Sequence, residues 1–95
     1  MTGRPTRRSA AMGQSSLFPI AATLQRICPE RNEWRYYRLS LEPDLFGGTA
    51  LVRHWGRIGT AGVRRPKLYA DEGVAANELA ALIRYRRKRG YVLLD

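Results

Sequence analysis

Two stretches of strict alternation constrain this chain more than any other feature. Trp34-Arg-Tyr-Tyr-Arg-Leu-Ser-Leu41 puts Tyr37, Leu39 and Leu41 on one side and Tyr36, Arg38 and Ser40 on the other. Thr49-Ala-Leu-Val-Arg-His-Trp-Gly-Arg-Ile58 separates in the same way. Val52, His54 and Ile58 share one side, and Leu51, Arg53, Trp55 and Arg57 share the other. A period of two belongs to a β-strand, whose successive Cβ atoms point to opposite faces of a sheet. Between the two runs, Pro43-Asp44 and Gly47-Gly48 bound a loop.

The flanking segments supply partners. Ile20 to Cys28 reads as a strand closed by Pro29, and Glu30 to Glu33 as a polar turn. Gly59-Thr-Ala-Gly62 is a turn, and Val63 to Tyr69 a weaker strand whose Pro66 suits a sheet edge. Asp71 or a neighbour caps a helix reaching about Arg89. Its acids, Asp71 and Glu72, stand at the start, and Arg86, Arg87, Lys88 and Arg89 at the end, as the macrodipole prefers. Ala75, Ala76, Leu79, Leu82 and Ile83 form its apolar stripe. Gly90 suits the position just past the helix, after which Tyr91 to Leu94 is expected to return to the core. The predicted fold is α+β: a small antiparallel β-sheet with one flanking α-helix. Residues 1–18 read as a basic, disordered tail without acids, with Met12 an alternative initiator, and 19–95 as a single domain.

Charge narrows the partners. Lys plus Arg is 17 against 8 for Asp plus Glu, a net of +9. Of these cations only Lys67 and Lys88 are Lys; the rest are Arg, whose planar fork matches phosphate and stacks on bases. Such a surplus predicts a polyanion partner, although biased codon usage gives the same composition. One Cys and one His leave no disulfide and no Cys/His zinc site. No metal-ligand spacing, catalytic pairing or cofactor loop is visible, and no apolar run approaches the ~20 residues of a membrane span. The expectation is a non-enzymatic, cofactor-free, cytoplasmic protein, monomeric or weakly oligomeric.

The segment His54-Trp-Gly-Arg-Ile-Gly-Thr-Ala-Gly62 resembles the signature of the WGR domain, whose Trp-Gly-Arg is followed by a branched apolar residue and Gly. Tyr36-Tyr-Arg-Leu39 resembles the family's aromatic strand, and Asp44-Leu-Phe-Gly-Gly48 the loop of bacterial members. Ala75 and Ala76 open the expected helix, and Arg86 to Tyr91 resembles its basic end and closing aromatic. The resemblance implies a compact antiparallel sheet with a flanking helix. It also implies that this chain is similar to stand-alone bacterial members. In DNA-damage-activated poly(ADP-ribose) polymerases the same domain holds a DNA end. The family's nucleotide-packing role would fall on Trp55, its strand-holding role on Arg57, and its late-helix basic position on Arg86.

The candidate nucleic-acid-binding residues are therefore Trp55, Arg57, Arg53, Arg86, Arg84, Arg87, Lys88 and Lys67. Trp55 beside Arg57 joins a stacking plate to a phosphate-binding cation, and a stacked base is worth about 1–3 kcal/mol. Half-buried packing explains the same tryptophan. Arg38 extends the surface if its strand neighbours that of Arg53. Arg64, Arg65 and Lys67 crowd the strand after the turn. Arg84, Arg87 and Lys88 form a helix stripe, which a solvated face also explains. Trp34 and Tyr91 are expected to pack, and His54 to face the core. The functional expectation is a module for DNA ends, nicks or exposed strands; the alternative is a protein-interaction module with an acidic partner.

Overall fold

A computed structural model describes residues 20–94. The expected tail lies outside the described residues. Five strands form one sheet: β1 (Ala21–Cys28), β2 (Glu33–Pro43), β3 (Thr49–Arg57), β4 (Val63–Tyr69) and β5 (Val92–Leu93). A 3-10 turn at Pro29–Arg31 joins β1 to β2, and helix α1 (Glu72–Lys88) separates β4 from β5. The order across the sheet is β4-β3-β2-β1-β5, with every pairing antiparallel. The chain meanders through four strands to the β4 edge. Helix α1 then crosses one face, and β5 joins the opposite edge. The expected α+β architecture is the one observed.

Local chemistry fixes the helix at both ends. Asp71 accepts a hydrogen bond from the Gly73 N–H at 2.7 Å, the N-cap interaction. At the other end Gly90 has φ +93°, its N–H reaches the Arg87 carbonyl, and the Tyr91 N–H reaches the Arg86 carbonyl. This is the paired Schellman closure, which requires a left-handed residue at Gly90. It turns the chain so that Tyr91 is buried against Tyr37.

The core lies between α1 and one face of the sheet. Ala22, Leu24, Tyr37, Leu39, Leu51, Leu79 and Tyr91 form it, with Leu41, Trp55, Tyr69, Leu82 and Ile83 packed at its margin. Beyond Tyr91 the expectation fails, because Val92 and Leu94 remain exposed. The terminal strand is two residues long and lies on the sheet edge, with a neighbouring strand on one side only.

The two faces of β3 separate as the alternation predicts, but their assignment is reversed. The row Leu51, Arg53, Trp55 and Arg57 shares the face of Tyr37 and Leu39, the helix side, as the pairings Tyr37↔Trp55 and Leu39↔Arg53 require. His54, expected to face the core, stands on the open face beside Tyr36 and Arg64. The open face nevertheless buries Tyr36 and Val52. Arg38 lies 4.9 Å over the Tyr36 ring, and an Arg64–Glu42 ion pair at 3.4 Å bridges the strands beside Val52. Burial therefore occurs on both faces, and apolar content alone does not show which one the helix covers.

Candidate nucleic-acid interface

One end of the sheet gathers the turn after β1, the start of β2, the end of β3 and the end of α1. A groove of about 500 Å³ opens there, lined by Arg31, Asn32, Glu33, Trp34, Arg35, Tyr36, Trp55, Gly56, Arg57, Arg86 and Tyr91. Four of these side chains are cations and one is an anion. Register explains the clustering: Arg26, Arg35 and Arg57 are opposed across three adjacent strands. Like charges opposed in this way repel, and a bound anion would relieve that repulsion.

Trp55 forms the aromatic wall. Its inner side meets Tyr37, with ring centroids 6.2 Å apart, and the residue as a whole is half-buried at the core margin. Thus both sequence readings hold in part: the indole packs against the core and also faces the groove. Arg57 is exposed and oriented by the neighbouring corner, donating to the Asn32 carbonyl at 3.1 Å and to Asn32 Oδ1 at 3.2 Å. Asn32 holds a left-handed φ of 55°, which Asn tolerates. Ile58 N–H donates to the Trp34 carbonyl at 2.7 Å, tying the same two corners together.

Arg86 reaches the groove from the last turn of α1. Its guanidinium lies 4.1 Å over the Tyr37 ring and 5.5 Å from that of Tyr91, a cation held on aromatic faces. Arg86 Nε and Tyr37 Oη are both buried without a hydrogen-bond partner among the described residues. Polar atoms are rarely left so in a purely structural setting. Glu33 moderates the site. Its mostly buried carboxylate pairs with Arg26, with Arg35 at 3.5 Å and with Arg31 at 3.8 Å.

Of the predicted residues, the structure brings Trp55, Arg57 and Arg86 into the groove. Arg53 stands 5.5 Å from the Trp55 ring but lines a separate small hollow with Lys67. Arg84, Arg87 and Lys88 are exposed on α1 outside the groove lining. Arg38 and Arg64 belong to the open face, away from Trp55. Sequence reasoning missed Arg31, Asn32 and Arg35, and it read Trp34 as packing, whereas Trp34 is exposed and lines the groove. Arg35 was detectable: it has the same parity as Tyr37 and lies two residues nearer the sheet's end.

The WGR domain family matches residues 20–94. The chain belongs to the WGR family. As a WGR domain it is a member of a group known for binding nucleic acid in proteins of the poly(ADP-ribose) polymerase type. It is also 44% identical over 73 residues to y4dW, an uncharacterized protein of Sinorhizobium fredii (strain NBRC 101917 / NGR234). That match covers 77% of this chain but 36% of the relative, so the WGR domain spans about a third of the curated protein's length. No solved structure matches this WGR domain. No described helix is long and apolar enough to cross a membrane.

Proposed function

We propose that this WGR domain is a non-enzymatic DNA-binding module that grips an exposed nucleotide at an end, a nick or a single-stranded stretch. One observation carries the reading: a half-buried indole, Trp55, lines the same groove as the guanidinium-bearing Arg57 and Arg86, and that groove is richer in cations than anions. The ring offers a surface to base or sugar, Arg57 and Arg86 take the phosphates, and Arg31 and Arg35 supply field at the entrance. Arg84, Arg87 and Lys88, on the outward side of α1, add attraction without selecting an end.

Both tryptophans of the chain line the groove, so intrinsic fluorescence reports its occupancy. Titration with short duplexes, nicked duplexes and single strands over a salt series is expected to quench that fluorescence. Affinity should fall steeply with salt. Trp55→Ala should remove the preference for ends, whereas Lys88→Ala should weaken all forms alike. Binding that leaves both indoles unquenched, or no binding by any form, would dismiss the proposal.

A protein partner is the second reading. An acidic partner would compete for the same arginines, and a complex surviving nuclease would favour it. Leu45 and Phe46 offer such a partner an apolar foothold, at 96% and 91% exposure on the β2–β3 loop.

A further inference from the structure

Trp55 has cations on two sides, and the groove accounts for only one of them. On the other side, Arg53 is directly opposite Arg65 across β3 and β4, and Lys67 follows on the same face, opposite Leu51. These three share the face of Trp55. Arg53 lies 5.5 Å from its ring, and Lys67 lies 5.3 Å over the ring of Tyr69. None of the three has an ion pair among the described residues, whereas Arg64, on the opposite face of β4, is paired with Glu42. The facing pair Arg53–Arg65 carries the same repulsion as the Arg35–Arg57 pair in the groove. Helix α1 flanks this shoulder through Leu82 and Glu78, whose carboxylate is the anion lining the hollow there.

The two cationic sets are collinear with the indole. Arg53, Trp55 and Arg57 alternate along one strand on one face, so the Cα atoms of the outer two are about 13 Å apart with that of Trp55 midway. A terminal nucleotide held in the groove leaves Arg53, Arg65 and Lys67 without a role. A strand that runs across the ring uses both sets.

We infer that the strand held at Trp55 continues past the ring along the shoulder between β4 and α1, with its phosphates on Arg53, Arg65 and Lys67. The substrate class is then a DNA end bearing a single-stranded extension rather than a blunt one. The inference rests on the groove reading of the preceding section, and its test separates the two.

The experiment compares blunt duplex with duplexes carrying single-stranded extensions of increasing length, of each polarity, for the wild-type chain and for the double variant Arg65→Ala, Lys67→Ala. Both replaced side chains are exposed, and an unchanged thermal transition checks that the fold is retained. The wild-type chain should bind at least one extended form several-fold more tightly than blunt duplex. The double variant should lose that increment, and its log–log salt slope on the extended form should fall by about 1.4, roughly 0.7 for each cation removed from a single strand. Its affinity for blunt duplex should fall only by the modest, form-independent amount expected of lost positive charge, as with Lys88→Ala, and its tryptophan quenching should persist. Equal wild-type affinity for blunt and extended ends, or an increment that survives in the variant, would overturn the inference while leaving the groove intact. Binding without quenching in the wild-type chain would instead overturn the groove reading and this inference with it.

Discussion

Glu33 holds three arginines at the mouth of the groove, so its replacement acts in two directions. Glu33→Gln is expected to lower stability by on the order of 1 kcal/mol, because Arg26, Arg31 and Arg35 lose a shared partner. It should also tighten binding to any polyanion, most clearly at low salt, since the freed guanidiniums become available to phosphate. Paired thermal unfolding and binding titrations measure both effects; a variant that is weakened in both would show that the carboxylate positions the cations rather than restraining them. Gly62 gives a second prediction at this scale. It has φ +70°, and a Cβ there would collide with the Trp55 carbonyl and Tyr36 Oη. Gly62→Ala should cost at least about 2 kcal/mol, since backbone strain and collision combine. Gly47→Ala, at φ +88° but in open space, should cost about 1 kcal/mol. Denaturant unfolding of the two variants checks the order. The glycines of the signature were legible as conformational residues in the sequence. The Tyr36 hydroxyl that Gly62 approaches was not, because it comes from β2 and reaches this turn only through the pairing of the sheet.

At the scale of elements, α1 positions the site through its ends. Asp71→Ala removes the N-cap and should cost about 1 kcal/mol without altering the groove. Gly90→Ala should cost a similar amount, but it also perturbs the turn that seats Tyr91 against Tyr37 and brings Arg86 over both rings. Equal losses of stability with unequal losses of DNA affinity are therefore expected, and parallel unfolding and fluorescence titrations would detect them. Both caps, the alternation of β2 and β3, and the edge placement of β4 were readable before any coordinates, because each depends on neighbours in sequence. The face covered by α1 was not. Tyr36 and Val52 on one side and Tyr37 and Leu51 on the other are all buried, so the choice depends on how a helix crosses from one sheet edge to the other. The same nonlocal choice carries Trp55 to the margin of the core. It also explains why Arg31 and Asn32 went unnoticed: they join the groove only because register brings Arg57 beside their turn.

At the scale of the molecule, the described cations are concentrated toward one end of the strand axis, where Glu30 and Glu33 offset them only in part. Arg26, Arg31, Arg35 and Arg57 lie toward the groove end together with the basic final turn of α1. Glu42, Asp44, Asp71 and Glu72 lie toward the other end, where β2 and β4 finish and α1 begins. Such a field orients an approaching polyanion toward the groove and hastens encounter at low ionic strength. Association rates measured by stopped-flow fluorescence should therefore fall with salt more steeply than dissociation rates rise. The opposite partition would mean that the separation of charge does not guide approach.

The same axis governs how the domain sits in a longer polypeptide. Ile20 meets Leu41 through a backbone hydrogen bond and Leu94 meets Thr23, so β1 enters from, and β5 runs toward, the end of the sheet opposite the groove, although Leu94 stops level with the middle of the sheet. A polypeptide attached at Ile20 or Leu94 thus starts on a heading away from Trp55.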